Sequence, residues 1–290
     1  MVANIILNGL IFGGMYAVLA SGFALVFGVA RVLNMAHTAF YMVAAFCIYS
    51  LTSFFGVNPW ISSLIGIGLA VGLAMLSYIL CIDRVKQHES TVMVITIAIA
   101  MIIQESLLLA FKGRYRGINP FIPGYAEILG TRITYQHILT IITGLIALGL
   151  IWIVLYRTKF GSAVRAISQD REAASLTGIN VGRVILLTVG ISAAFAGVAG
   201  TVVAPMVTVY PLMWQPPLIM ILAAVVLGGL GSLKGSIIGA FILGFVESAV
   251  IFLIPMGGFL KEAVALFVML LVLIFRSEGL FGIVFEEERL

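Results

Sequence analysis

The chain has 290 residues, of which 62% are hydrophobic and 10% charged, with a net charge of +4 and a mean hydropathy of +1.20. A soluble domain carries about 25% charged residues, so a soluble surface cannot be built from this chain and lipid must be the solvent for much of it. Its basic residues gather at the ends of apolar runs, as loop charges do, which argues against nucleic-acid binding.

A bilayer core about 30 Å thick needs roughly 20 apolar residues in a helix. On that measure the chain offers eight or nine spans. No basic region precedes the first, residues 5–29, so a cleaved signal peptide is not expected. A polar break carrying Arg31, Asn34 and His37 separates it from the second, 39–55, which ends at Gly56, Asn58 and Pro59. The third covers 60–82 and the fourth 91–111; a polar loop with Pro120 and Pro123 leads to the fifth, 137–156. Residues 157–183 form the longest polar stretch, and the sixth span follows at 184–209. Beyond Pro211, Pro216 and Pro217 lies a short apolar run, 217–227, about 17 Å as a helix and too short to cross alone. It is either a half-helix set in protein or a span lengthened by the glycine-rich turn 228–235. Spans at 236–254 and 260–275 complete the set, before an acidic tail with Glu286, Glu287, Glu288 and Arg289. The chain reads as a single membrane domain, 1–290. An apolar helix, a break and a second helix occur at 10–55 and again at 217–254, a faint internal echo. Cys47 and Cys81 sit in apolar runs and read as small core residues, not as a disulfide or metal pair.

With nine crossings, one set of loops holds Arg31, Arg84, Lys86, Arg157, Lys159, Arg165, Arg171, Arg183, Lys234, Arg276 and Arg289. The other holds only Lys112, Arg114, Arg116, Arg132 and Lys261. The excess of Lys and Arg marks the cytoplasmic side, which places the N-terminus outside and residues 157–183 inside.

Within 157–183, Asp170 is suited to cap a helix with Glu172 in its first turn, and Gly178 to end it in a left-handed conformation. A two-turn helix over 171–177 is therefore expected. Two turns do not persist alone, so it must lie on the membrane surface or against a partner protein. Asn34 and His37 read as a hydrogen-bonded connection, because no second metal ligand stands near His37 at helical spacing. Gly231, Gly235 and Gly239 do not make a Walker loop, since Lys234 follows Leu233 and precedes Gly235. Their four-residue spacing is that of a helix-packing strip; Gly9 with Gly13, Gly68 with Gly72, and Ser192, Ala196 and Gly200 repeat it. Such strips would also suit pairing with a second subunit. Two acids lie inside spans: Glu105, next to Gln104, and Glu247, roughly 18 Å deep. Either a pathway role or a structural one fits an intramembrane acid, and Glu247 has no evident partner in the sequence. No metal or catalytic constellation is present.

The segment Leu33-Asn34-Met35-Ala36-His37, then Arg165-Ala166, Gln169-Asp170, Ala173-Ala174 and Gly178-Ile179-Asn180, and then Gly228-Gly229-Leu230-Gly231-Ser232 with Gly235 and Gly239 resemble the branched-chain amino acid ABC-transporter permease family, LivH-type. The resemblance covers nearly the whole chain. Thr38 stands where that family usually has Gly, and Phe46 where Tyr is common. The resemblance implies an all-α polytopic membrane protein of eight or nine transmembrane or partly re-entrant helices, a type II-like ABC importer permease of the bacterial or archaeal cytoplasmic (inner) membrane. It implies two related permease subunits, two cytoplasmic ATPases that carry ATP and Mg, and an external solute-binding protein; no cofactor would sit on this chain, which is no enzyme itself. Residues Arg165, Gln169, Asp170, Arg171, Glu172, Ala173, Ala174, Gly178, Ile179 and Asn180 would couple it to an ATPase. The solute would be a branched-chain or related amino acid. The alternatives are a permease for urea or short amides, or an ion-coupled secondary transporter using Glu105, Glu247 and His37.

Overall fold

The computed structural model describes residues 2–85, 88–128 and 131–282. Lys86, and the tail with Glu286, Glu287, Glu288 and Arg289, lie outside the described residues.

Helix α1 (Val2–Ala30) has 29 residues, about 43 Å, more than a bilayer core requires. It is the most enclosed helix of the bundle. Helix α2 (His37–Phe55) ends at Gly56, whose φ of +62° only glycine adopts without strain. Asn58 then caps α3 (Pro59–Val85), its Oδ1 accepting from Trp60 N at 2.9 Å, with Pro59 in the first turn where a missing N–H costs nothing. A π turn at Tyr78–Ile82 interrupts α3 near its inner end, where inner names the side expected to be cytoplasmic from the basic-residue count and outer the opposite side. Helix α4 (Glu89–Phe111) follows, and the outer loop after it holds a two-stranded antiparallel ribbon, β1 (Tyr125–Ile128) and β2 (Thr131–Thr134). Next come α5 (Tyr135–Arg157), two short helices, α6 (Lys159–Gln169) and α7 (Arg171–Leu176), and α8 (Val181–Val203). The chain ends with α9 (Gln215–Gly228), α10 (Leu233–Leu253) and α11 (Gly257–Phe275).

Eight of these helices are long and apolar enough to cross a membrane. Helices α1, α2 and α8 form the centre; α3, α4, α5 and α11 turn large apolar side chains such as Leu64, Ile102, Leu145 and Ile274 outward, as a lipid-facing shell does. Close backbone approach holds the centre together. A Cβ on Gly244 would meet Gly13 Cα at 2.4 Å, locking α10 to α1, and one on Gly200 would meet the Tyr41 carbonyl at 2.3 Å, locking α8 to α2. Gly9 and Gly13 likewise meet Phe245 and Phe241 of α10, so these glycines pack within the subunit. Gly68 is exposed with nothing within 4 Å of a Cβ, so the Gly68–Gly72 strip packs on nothing in the chain.

The sixth span ends at Val203, six residues before the sequence-based boundary of 209. Residues 204–214 form a non-helical break instead. Val209 exchanges backbone hydrogen bonds with Arg116 (2.9 and 2.8 Å), and Trp214 Nε1 donates to Gln104 Oε1 at 2.8 Å, about 10 Å of helix below the outer end of α4. The break therefore carries the chain inward before α9 starts. At 14 residues, about 21 Å, α9 finishes the passage, and at its inner end Leu227 and Gly228 accept backbone bonds from Leu280 and Phe281 beyond α11. By length α9 is a shorter apolar helix beside the eight spans.

Candidate functional site

The inner face is built on consecutive caps. Thr158 Oγ1 accepts from Gly161 N (3.1 Å) to open α6, a helix that residues 157–183 did not announce; Val164 and Ile167 fix it to the bundle. Asp170 Oδ1 accepts from both Glu172 N (2.8 Å) and Ala173 N (3.0 Å), so one carboxylate satisfies two orphan donors at the start of α7. At the other end Gly178 takes φ +87°; its N–H reaches Ser175 O (3.0 Å) and that of Ile179 reaches Ala174 O (3.2 Å), the paired closure of a Schellman turn. Asn180 Oδ1 at once accepts from Arg183 N (3.0 Å) and opens α8.

The helix so defined touches the bundle with one face. Ala174 is buried, and Arg171 donates to the Val29 carbonyl at 2.8 Å, tying α7 to the end of α1. Burial, and then the Arg31 charge nearby, lower the Arg171 pKa from its ordinary value. Arg165 donates to the Leu155 carbonyl and lies over the Tyr156 ring at 5.3 Å. Both arginines are thereby committed to the subunit. Gln169, Asp170, Glu172, Ala173 and Asn180 are exposed and Ile179 is partly so. Leu176, carried by the expected two-turn helix but outside the expected coupling residues, is 89% exposed. Its helical position one turn beyond Ala173 was the available signal. Beside this platform opens a cavity of about 830 Å³ lined by Arg31, Glu89, Arg165, Ser168, Gln169 and Glu278 among others.

Deeper in the bundle, the break at 31–36 enters from the inner face. Asn34 Oδ1 accepts from Ala36 N (3.1 Å), and Thr96 Oγ1 accepts from Met35 N (3.1 Å). His37 is buried; its Nε2 donates to the Leu19 carbonyl (3.1 Å), about 16 Å of helix before Ala30, so in a neutral ring Nδ1 accepts from the Ser192 hydroxyl (3.2 Å). One imidazole thus joins α1, α2 and α8. Thr38 Oγ1, at the position that departs from the family pattern, is buried without a hydrogen-bond partner among the described residues.

The two intramembrane acids have different surroundings. Glu105 is exposed on α4 and receives a bond from Gln104 Nε2 (3.0 Å), whose Oε1 holds Trp214. Glu247 is fully buried, and Lys261 Nζ lies 2.6 Å from its Oε1. The absence of a partner for Glu247 is thereby corrected: α11 runs back along α10 and brings its first turns level with that carboxylate. Gly235 and Gly239 pack against Gly228 and Ala224 of α9 (Cβ to carbonyl oxygen 2.0 and 2.3 Å). Gly231 does not belong to that strip: it lies in the turn with φ +84° and nothing within 4 Å of a Cβ. Cys47 and Cys81 are free and half-buried.

Residues 5–275 match the family of the branched-chain amino acid transport system permease component. The chain is 30% identical to the probable branched-chain amino acid transport permease protein LivH of Methanocaldococcus jannaschii, over 97% of this chain and 93% of the relative. It is 30% identical to the high-affinity branched-chain amino acid transport system permease protein LivH of Escherichia coli, over 95% and 94%. Against BraD of Pseudomonas aeruginosa, which carries the same high-affinity permease description, identity is 29% over 96% and 94%. Among solved structures, PsaBC from Streptococcus pneumoniae in complex with Fab shares the fold, with a TM-score of 0.53 at 14% identity, covering 94% of this chain and 95% of that one.

Proposed function

The chain belongs to the branched-chain amino acid transport permease family, and from that premise we propose that it is the membrane-spanning subunit of an ATP-driven importer whose solutes are branched-chain or closely related amino acids. It works as a permease and not as an enzyme. ATP and Mg are bound and used on two cytoplasmic ATPases, an external binding protein delivers solute, and a second related permease completes the pathway in the inner membrane.

The observation that carries this reading is α7. A six-residue helix capped at both ends, tied to α1 through Arg171 and presenting Leu176 to the outside, has the form of a docking element. Two turns need a partner to persist, and an exposed leucine on the same short helix as the exposed Glu172 supplies an apolar anchor beside a polar group. Displacement of α7 moves the end of α1 and the start of α8 together, and those two helices meet again at His37.

Reconstitution with the ATPases and binding protein tests the assignment, with assembly, ATP hydrolysis and uptake followed together. Gly178→Val meets open space but a forbidden backbone, since a β-branched residue resists φ near +87°. The variant is expected to insert normally and lose uptake, with ATPase binding weakened or hydrolysis no longer stimulated by loaded binding protein. Asp170→Ala should do the same more mildly, at about 1 kcal/mol for the lost cap. Wild-type values of all three measurements in Gly178→Val would make the segment a passive connection.

A further inference from the structure

A second cavity, of about 260 Å³, opens on the inner face beside the larger one. It lies between the inner ends of α1 and α5, helix α6 and the turn that starts α10. The larger cavity sets Glu89 and Glu278 against Arg31 and Arg165 and is mixed in sign. The smaller one is not: among the described residues that line it the charged ones are Arg165 and Lys234, both cations.

Its donors are largely free. Lys234 is exposed and has neither an acceptor nor an ion-pair partner among the described residues. Arg165 is held in place, donating to the Leu155 carbonyl and, at 3.4 Å, to the Ser162 hydroxyl. A guanidinium has five N–H donors, so the bonds that fix it leave others for a ligand. Ser232 caps α10, its Oγ accepting from Gly235 N at 3.1 Å. The N–H groups of Leu233 and Lys234, in the same first turn and in the cavity wall, have no acceptor among the described residues. Two cations and open amides at a helix N-terminus favour an anion with several oxygens, and phosphate is such a group.

The neighbouring surface selects the kind of phosphate. Tyr156 of α5 lines the cavity under the Arg165 guanidinium. Trp152 lies one turn further into the membrane, with its ring 6.0 Å from that of Tyr156 and Arg157 above it at 5.8 Å. Trp and Tyr with flanking arginines mark the headgroup level of a bilayer. Beyond them Leu145, Ile146, Leu150 and Ile153 are exposed and continue as an apolar track into the hydrocarbon. A free phosphate has no use for that track; a phospholipid does.

We propose that this cavity binds the phosphodiester headgroup of an anionic phospholipid of the inner leaflet, held by Lys234, Arg165 and the open end of α10, with its acyl chains lying along α5. The site goes beyond the transport reading and does not depend on which solute is carried. It ties α6, and through Asp170 the start of α7, to the membrane.

Native mass spectrometry of the full chain in neutral detergent tests this, with separate titrations of phosphatidylglycerol, phosphatidylcholine and inorganic phosphate and the apparent Kd of the first bound molecule as the readout. The wild type should bind phosphatidylglycerol about tenfold more tightly than phosphatidylcholine. Lys234→Gln should weaken phosphatidylglycerol about fivefold, and Lys234→Arg should stay within about twofold of wild type. Ser168→Asp, which sets a carboxylate among the cations, should weaken it at least as much as Lys234→Gln and decides the matter if that variant does not purify. Lys159→Gln removes an exposed charge of the same face that does not line the cavity, and should change little. Equal affinity for the two lipids, or wild-type affinity in both Lys234→Gln and Ser168→Asp, overturns the proposal, and an equal loss in Lys159→Gln reduces it to general surface charge. Inorganic phosphate that binds as tightly as phosphatidylglycerol makes this a free-phosphate site and overturns the lipid. Weakened ATPase assembly in Lys234→Gln with lipid affinity unchanged assigns the cavity to the ATPase instead.

Discussion

Among the described residues the backbone enters the bundle in non-helical form from both faces, at 31–36 from the inside and at 204–214 from the outside, and the two breaks satisfy their polar groups differently. The inner one is held by side chains from elsewhere in the chain. Thr96 takes the Met35 N–H, and His37 binds Leu19 and Ser192, while Asn34 takes the Ala36 N–H locally. The outer one relies more on backbone: short turns close Met206 on Val203, Met213 on Tyr210 and Gln215 on Leu212, the Arg116–Val209 bridge uses backbone only, and side-chain bonds from Thr140 to Met206 Sδ and from Trp214 to Gln104 add to these. Unsatisfied backbone is costly in lipid, so both devices meet the same requirement. The inner one makes α1, α2, α4 and α8 depend on one another through buried bonds; the outer one ties only α4 and α5 to itself, through Gln104 and Thr140. Mutations at the inner break should therefore reach further.

That contrast requires the two breaks to lie on opposite sides of the membrane, and sidedness is the largest effect to measure. In a background lacking Cys47 and Cys81, Asn119→Cys, in the outer loop beside Arg116, should react with an impermeant thiol reagent added to intact cells. Ser168→Cys, which lines the inner cavity, should react only after the membrane is opened. Labelling of Ser168→Cys from outside would reverse the whole assignment.

Next in size is the close approach that seats α2 above the inner break. Gly200→Leu drives a side chain into the Tyr41 carbonyl, 2.3 Å from the first added carbon, and neither backbone can yield without parting α2 from α8. The purified variant should lose most of its monodisperse material on size exclusion. Gly68→Leu, with open space around it, should purify as the wild type does. Equal behaviour of the two would remove the argument for close packing at the centre.

His37→Leu comes third. It deletes two buried bonds that join three helices, at a cost of about 1–2 kcal/mol. The thermal midpoint of the detergent-solubilised protein should fall by several degrees, with His37→Gln losing less because an amide keeps a donor. An unchanged midpoint in His37→Leu would show that the imidazole carries no part of the connection.

The two breaks also differ in how far the sequence discloses them. Arg31, Asn34 and His37 are conspicuous between apolar runs, and the inner break was legible from them. Residues 203–209 are almost wholly apolar, so hydropathy continues the sixth span straight through the outer break. The signal there was Pro205, which lacks the helical N–H and disfavours α geometry in the residue before it. The caps of α7 were legible at Asp170 and Gly178 because their chemistry is local. Helix α6 was passed over although Phe160, Val164 and Ile167 follow a helical period. The Lys261–Glu247 pair could not be read in advance, since it depends on the register between two helices, and Lys261 by position alone passes for a loop charge. Gly231 shows the converse: regular spacing with Gly235 and Gly239 suggested one strip, but the helix begins only at Leu233.

The smallest predicted effect bears most directly on the contrast. Trp214→Phe removes the indole N–H that donates to Gln104, together with three ring atoms of an almost fully buried side chain. Gln104 keeps its bond to Glu105 and is only partly buried, so its freed oxygen is not sealed off. The lost hydrogen bond should cost near the 0.6 kcal/mol typical of one between membrane helices, and the gap left by the smaller ring adds a packing loss of about the same size. Together these correspond to a shift of a degree or two in the same melting experiment, against several for His37→Leu. The backbone bridge between Arg116 and Val209 is untouched by the substitution and continues to hold the break. A larger shift for Trp214→Phe than for His37→Leu would invert the comparison, because the outer break would then hang on its side-chain bonds and the inner one on its backbone.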